Sequence, residues 1–101
     1  MGTFFALHTA LGDPAKGWEF FSKGAPALAA AMAAGQTPAK CIKTWNPYPY
    51  GRGNYVFCVW EAEKAADVEK ILRDAGFYDY VTIDLMQVDE IDWAQLALAA
   101  K

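Results

Sequence analysis

The sequence has few cysteines and serines, and each shortage argues against a class of protein. Two cysteines, Cys41 and Cys58, are too few for a disulfide scaffold and lack the spacing of a metal knuckle. We interpret each as a small buried residue of a strand. The sole serine, Ser22, is predicted on a helix, and neither G-x-S-x-G nor a glycine-rich phosphate loop is present. Serine nucleophiles, phosphate chemistry and nicotinamide binding are therefore not indicated.

Long apolar runs and a basic surface are also missing. The longest weakly polar run, 25–35, has 11 residues, whereas about 20 apolar residues span a bilayer. The net charge is −3, and the nine basic residues are scattered along the chain, so no phosphate-binding surface is expected. The opening MGTFFALHT has no basic segment before an apolar stretch, unlike a secretory signal. We expect a cytoplasmic protein that binds neither membrane nor nucleic acid.

What the sequence does contain is enough apolar material for one globular domain, 1–101, because 54% of its 101 residues are hydrophobic and 15% aromatic. Four segments have the β-branched and aromatic content of strands: 3–9, 39–46, 54–62 and 80–88. Helices are predicted over 14–23, 26–34, 64–75 and 91–100. Asp13 and Pro14 begin the first, Pro26 interrupts it, and Asp89 is the expected cap of the last.

The second and third strands flank the loop PYPYGRG, whose prolines and glycines predict a hairpin. With Arg52 at its centre, Lys43 lies opposite Glu61 and Trp45 opposite Val59. The order βαββαβ with right-handed crossovers predicts an α+β, ferredoxin-like fold. Its four-stranded antiparallel sheet has the order 4-1-3-2, both helices lie on one face, and a C-terminal helix follows.

Two helices leave the second face of such a sheet for water, a partner or a ligand. On the first strand, Phe5 and Leu7 suit packing under the helices, which places His8 on the free face between the small Ala6 and Ala10. On the fourth strand, alternation assigns the free face to Tyr80, Thr82, Asp84 and Met86. This mixture is typical of a cavity wall, which a second copy of the chain could close.

Three stretches, FFALHT, YVFCVWEAE running into KAADVEKIL, and VTIDLMQV, resemble the dimeric α/β-barrel superfamily of ferredoxin-like domains. That superfamily includes cofactor-free monooxygenases, muconolactone isomerases, polyketide cyclases and bacterial families without assigned function. The chain is most similar to the last group, whose histidine, tryptophan and acidic residue match His8, Trp45 and Glu61. The resemblance implies a homodimer whose two sheets form a barrel, with a pocket beneath the helices or at the dimer cleft. It does not imply a reaction.

His8, the only histidine, is the candidate general acid or base. Asp84 on the neighbouring strand would orient it and raise its pKa; a structural core histidine is the alternative. A metal site built from His8, Cys58 and Asp84 would have a poor ligand set, so no metal and no cofactor are predicted. The predicted ligand-binding residues are Trp45, Glu61, Tyr80 and Met86. Alternatively, Glu61 pairs with Lys43 across the hairpin. Trp60 and Glu61 are adjacent in a strand, so they cannot both face one pocket.

The aromatic loop supplies the predicted dimer interface: Tyr48, Tyr50, Arg52 and Tyr55. A flap over a ligand and internal packing of the loop are the alternatives.

Two functions of the protein remain open. One is a homodimer that binds a small apolar or aromatic molecule, as a cofactor-independent isomerase, cyclase or monooxygenase if it is an enzyme. The other is a dimeric domain without chemistry, in which His8 is structural.

Overall fold

A computed structural model describes residues 1–100 and has the predicted βαββαβ order followed by a last helix. Its strands are β1 (Gly2–Ala10), β2 (Ala39–Trp45), β3 (Tyr55–Ala62) and β4 (Val81–Val88), and its helices are α1 (Pro14–Ala33), α2 (Ala65–Asp74) and α3 (Trp93–Ala99). Short 3-10 turns lie at Tyr48–Tyr50 and Phe77–Asp79. The sheet is antiparallel in the order β2-β3-β1-β4, which is the predicted order read from the other edge. The α+β class is confirmed.

Helix α1 is continuous, so the prediction of two helical pieces around Pro26 is wrong. Asp13 begins the helix as predicted, because its carboxylate accepts a hydrogen bond of 3.0 Å from the Ala15 amide. Pro26 has no N–H to donate to the carbonyl of Ser22 one turn earlier. Both residues are exposed, so water can hydrate that carbonyl and the helix passes through.

Helix α2 forms as its spacing predicts and supplies the centre of the core. Val68, Ile71 and Leu72 are buried, because they fall on one side of the helix at i, i+3 and i+4. They belong to a core cluster with the buried residues of the sheet, which include Phe4, Ala6, Trp60 and Ala62. The core therefore lies between α2 and the middle strands.

The hairpin of β2 and β3 has a different register from the predicted one. Lys43 lies opposite Val59, and Trp45 lies opposite Phe57. The turn is centred nearer Gly51, which has a φ of 84°, than Arg52, since only glycine adopts such a φ without strain. The ladder is also irregular between Cys41 and Lys43, so an extra residue bulges from the edge strand.

The helices cover the face of the sheet that carries Phe4, Ala6 and His8, all buried. Placement of His8 on the free face is therefore wrong. Phe5 and Leu7 point the other way and are half-buried on a face that no described element covers. We call this second side the open face; by strand register it carries Phe5, Leu7, Lys40, Lys43, Trp45, Tyr55, Phe57, Val59, Glu61, Asp84 and Met86. The predicted assignment of Asp84 and Met86 to the free face is confirmed.

Helix α3 begins after Asp92 rather than Asp89, because the Asp92 carboxylate caps it by accepting bonds of 2.9 and 3.4 Å from the amides of Ala94 and Gln95. All residues from Asp89 to Ala100 are exposed. Within residues 1–100, none of the helices has the length and apolar content needed to cross a bilayer.

Candidate functional site

A cavity of about 490 Å³ lies between α1 and the covered face of the sheet. Three small residues of α1, Gly17, Ala25 and Ala29, line it and leave the space beneath the helix unfilled. Bulkier apolar residues form the rest of its walls, among them Trp18, Phe21, Leu28, Val56 and Phe77. Small-molecule sites commonly enclose roughly 300–1,000 Å³ with mostly apolar linings. The cavity therefore has the size and character of a ligand site.

His8 lies in the wall of this cavity, where it is 4% exposed. Burial lowers the pKa of its imidazole, and a backbone hydrogen bond with Thr82 only partly opposes that shift. The ring is therefore neutral at pH 7. Its Nδ1 has no hydrogen-bond partner among the described residues. A neutral imidazole has one donor and one acceptor nitrogen, so Nδ1 can present a lone pair when the proton is on the other nitrogen.

Trp60 supplies the opposite chemistry from the same wall. It is 2% exposed, it lines the cavity, and its indole Nε1 also lacks a partner within residues 1–100. An indole nitrogen can only donate a hydrogen bond. Leaving a buried polar group unsatisfied costs about 1–3 kcal/mol. Neither atom is open to the cavity in this structure, so a molecule there would remove that cost only if the side chains of His8 and Trp60 turn toward it.

The predicted pair of His8 and Asp84 does not form. His8 lies opposite Ile83, whereas Asp84 lies opposite Leu7, and neighbours along a strand point to opposite faces. The carboxylate is exposed on the open face, away from the buried imidazole. The prediction of this pair failed because the two faces of β1 were assigned the wrong way round. The alternation of β4 was predicted correctly.

The other predicted ligand-binding residues divide between the two faces. Tyr80 lines the cavity and stacks on Phe20 with ring centroids 4.6 Å apart. Trp45, Glu61 and Met86 belong to the open face, so they do not share the cavity with His8. Glu61 lies opposite Lys40 instead of Lys43. Trp60, rather than Glu61, faces the cavity.

The aromatic loop also divides. Tyr48 packs edge-on against Trp18, with centroids 6.4 Å apart, at the rim of the cavity. Tyr55 stacks on Phe57 on the open face, and Tyr50 is 85% exposed. Arg52 is exposed in the turn. The role of these four residues in a dimer stays a prediction, and Tyr48 shows the internal packing that was its alternative.

Trp60, Cys41 and Cys58 also line the cavity, although none of them was among the predicted site residues. The sequence suggests a site role for Cys58 only as a metal ligand, and for Trp60 only as the alternative to Glu61. The strict alternation of β3, YVFCVWEA, places Val56, Cys58 and Trp60 on one face, so a correct orientation of that strand would have found two of them. The bulge in β2 hid the third.

The lining contains no aspartate or glutamate. Lys40 and Lys43 border it at the edge strand β2, although by register they belong to the open face. Nowhere in residues 1–100 do three or more histidine, cysteine or acidic side chains gather as a metal site would require. The chemistry of the cavity thus favours a neutral or anionic organic molecule over a cation.

Comparison with known proteins gave no match among family models, curated proteins or solved structures.

Proposed function

We propose that this protein is a homodimer that binds a compact, largely aromatic small molecule in the cavity between α1 and the sheet. The observation that carries the proposal is the pair of buried, unpartnered polar atoms beside a mostly apolar cavity, His8 Nδ1 and Trp60 Nε1. The imidazole nitrogen can accept a hydrogen bond, whereas the indole nitrogen can only donate one. The two residues are four positions apart in the strand register, so an aryl ketone with a hydroxyl group at the far end of its ring offers both complementary functions.

The charges around the site disfavour a cationic ligand. A cation would be buried without a carboxylate beside it, which is costly in an apolar cavity. A neutral molecule avoids that cost, and a single anionic group can lie at the rim near Lys40 and Lys43. Aromatic walls such as Trp18, Phe21 and Phe77 favour a flat ring.

The same histidine supports a second candidate function, cofactor-independent proton transfer. A neutral imidazole with a free lone pair can remove a proton from a bound hydroxyl or an acidic C–H group. Isomerisation, cyclisation and oxygenation all include such a step. Asp84 has no part in it, however, and burial disfavours the imidazolium that would form. Binding is therefore the primary proposal, and catalysis requires a ligand that itself stabilises the charged ring.

The homodimer is supported by the open face. Its centre is apolar and aromatic: Phe5 and Phe57 lie with ring centroids 6.2 Å apart, and Trp45 lies opposite Phe57. One edge carries Lys40 and Lys43 on β2, whereas the other carries Asp84 on β4. A two-fold axis parallel to the strands would stack two such sheets and place the basic edge of each over the acidic edge of the other. A second copy is therefore the occupant that fits, as in the dimeric α/β barrels that the sequence resembles.

Helix α3 adds a second reason for a partner copy. Trp93 is 79% exposed and Leu98 is 62% exposed, so the helix leaves large apolar side chains in water. Monomeric proteins seldom expose contiguous apolar surface of this kind. In the proposed dimer, α3 packs against the partner.

The binding proposal can be tested by NMR with p-cresol and toluene as matched probes. The indole N–H of Trp60 and the ring protons of His8 should shift with p-cresol, while the indoles of Trp45 and Trp93 stay in place. Toluene lacks the hydroxyl and should bind about five- to tenfold more weakly, as expected for one hydrogen bond of about 1 kcal/mol. In His8→Leu the two probes should bind alike.

Two outcomes would contradict the proposal. Shifts confined to Trp45 or Trp93 would place the ligand outside the cavity. If neither p-cresol nor an aryl ketone such as 4-hydroxyacetophenone moves the His8 and Trp60 signals, His8 is structural and the protein is a dimeric domain without this ligand.

A further inference from the structure

The two cysteines face the same cavity from neighbouring strands, and one threonine joins them. Thr44 Oγ1 lies 3.3 Å from Cys58 Sγ and 3.6 Å from Cys41 Sγ. The Cys41 thiol can also donate to the carbonyl oxygen of Lys43, which lies 3.7 Å from its sulfur. The two thiols meet at Thr44 because Thr44 lies directly opposite Cys58, while the bulge after Cys41 brings that residue toward the same point.

The two thiols have different surroundings. Cys41 is half-buried at the edge strand, whereas Cys58 is buried in the middle of the sheet. Hydrogen bonds from Cys58 and Thr44 lower the pKa of the Cys41 thiol to about 7, although its burial opposes the shift. The same interaction and burial raise the pKa of Cys58. One thiol is thus ionised to a large extent at neutral pH, and its neighbour stays protonated.

We propose that Cys41 and Cys58 form a peroxide-sensitive dithiol that closes to an intrachain disulfide, with Cys41 as the attacking thiol and Cys58 as the resolving one. The inference does not depend on the proposed ligand. It requires only a hydroperoxide small enough to reach Cys41 at the cavity wall.

The chemistry proceeds in two steps. The Cys41 thiolate attacks the terminal oxygen of the hydroperoxide and breaks its O–O bond. Cys41 becomes a sulfenic acid, and the alkoxide or hydroxide leaves and takes up a proton. Cys58 sulfur then attacks Cys41 sulfur and displaces the hydroxyl group as water. Two thiols lose two electrons and two protons in total, and the hydroperoxide is reduced to an alcohol, or to water, plus a second water.

Thr44 and the cavity wall favour this order of events. The Thr44 hydroxyl can donate a hydrogen bond to the thiolate, which stabilises the attacking form. The titratable and charged residues that line the cavity around Cys41 are His8 from β1, Lys40 and Lys43 from β2, Cys58 from β3, and Tyr80; α1 contributes none. No carboxylate in this lining repels the thiolate. The protonated Cys58 lies on the other side of the Thr44 hydroxyl, which contacts both sulfurs.

Intact-protein mass spectrometry after one equivalent of hydrogen peroxide tests the proposal. The wild-type chain should lose two hydrogen atoms in mass without dimerising covalently, and peptide mapping should recover a Cys41–Cys58 disulfide. Cys58→Ser should instead accumulate a sulfenic acid at Cys41 that dimedone traps. Cys41→Ser should lose free thiol at least about tenfold more slowly than wild type. The wild-type rate should rise with pH around a midpoint near 7, the pKa of Cys41.

Three results would overturn the dithiol proposal. The wild-type chain could gain oxygen without forming the internal disulfide, or it could form a disulfide between two chains. The two serine variants could also lose free thiol at equal rates. Wild-type mapping decides the matter even if one variant fails to fold. Because p-cresol is absent from the assay, failure here leaves the ligand proposal standing, and the reverse also holds.

Discussion

His8 and Asp84 belong to adjacent strands but point to opposite sides of the sheet. The imidazole is buried opposite Ile83, and the carboxylate is exposed opposite Leu7. The sheet backbone keeps the two groups apart, and the water and salt around the exposed Asp84 carboxylate screen its charge. The properties of His8 are therefore set by burial and by the Thr82 backbone.

Asp84→Asn should leave the His8 titration unchanged. The pKa of the single histidine, followed through its C2 proton, should lie below 6.5 in both proteins, because burial disfavours the imidazolium. Thr82→Ala, which retains the backbone, is the matched control on the same strand and should also leave the pKa unchanged. A pKa above 6.5 that falls in Asp84→Asn would show that the two groups interact.

The stability of the protein should fall on mild acidification. The pKa of His8 is lowered in the folded state. Below about pH 6.5, its ordinary pKa, the unfolded chain therefore binds more protons than the folded chain. Lowering the pH further then favours unfolding. Urea unfolding between pH 5 and 7 measures the effect. His8→Gln should flatten this part of the profile relative to wild type. Identical slopes in the two proteins would mean that His8 does not titrate differently on folding.

Filling the cavity should weaken ligand binding without unfolding the chain. Ala25→Leu adds apolar atoms where α1 lines the cavity, so p-cresol affinity should fall at least about tenfold. The free energy of unfolding should stay the same or rise by up to about 2 kcal/mol. Ala27→Leu, on the exposed side of α1, is the control and should bind like wild type. Equal affinities in all three proteins would place the ligand elsewhere.

A charge at the centre of the open face should dissociate the proposed dimer. Phe57→Glu would bury a carboxylate between the two sheets, and dimer affinity should fall about a hundredfold or more, since unpaired buried charges cost several kcal/mol. Sedimentation equilibrium gives the mass directly. Ala27→Glu carries the same charge on α1 and should remain dimeric.

The edges of the open face offer a second check of the same geometry. Lys43→Glu should weaken the dimer because it faces Asp84 of the partner in the proposed arrangement, and adding Asp84→Lys should restore it. A double variant no tighter than Lys43→Glu alone would exclude the axis parallel to the strands.

Local patterns were sufficient for the number and order of the strands, whereas the break at Pro26 and the cap at Asp89 were predicted wrongly. The i, i+3, i+4 spacing of Val68, Ile71 and Leu72 and the alternation of β4 each have one interpretation. The two faces of β1 were harder, because Phe5 and Leu7 are bulkier than Ala6 and His8. Bulk usually marks the core, but here Ala6 belongs to the core and His8 lines the cavity, while the bulky Phe5 and Leu7 lie on the open face. The choice of catalytic pair depended on that one orientation.

Only some of the site residues could be predicted from the sequence. His8 was selected from its chemistry and Tyr80 from strand alternation. Both line the cavity, although both were predicted on the free face of the sheet, so their placement was wrong. Cys41 could not be predicted, since it reaches Cys58 only through a bulge between Cys41 and Lys43, and bulges leave little trace in a short strand. The same irregularity contributes to the shifted register of the hairpin, in which Glu61 pairs with Lys40 instead of the predicted Lys43.

The short side chains of Gly17, Ala25 and Ala29 also have a mechanical consequence. Any part of the cavity beneath α1 that water does not occupy is eliminated when the chain unfolds, so the molecule and its water together occupy less volume in the unfolded state. Hydrostatic pressure should therefore unfold this protein more readily than a closely packed domain of equal size. A molecule seated under α1 would oppose the effect of pressure, because it occupies the space that compression would otherwise remove.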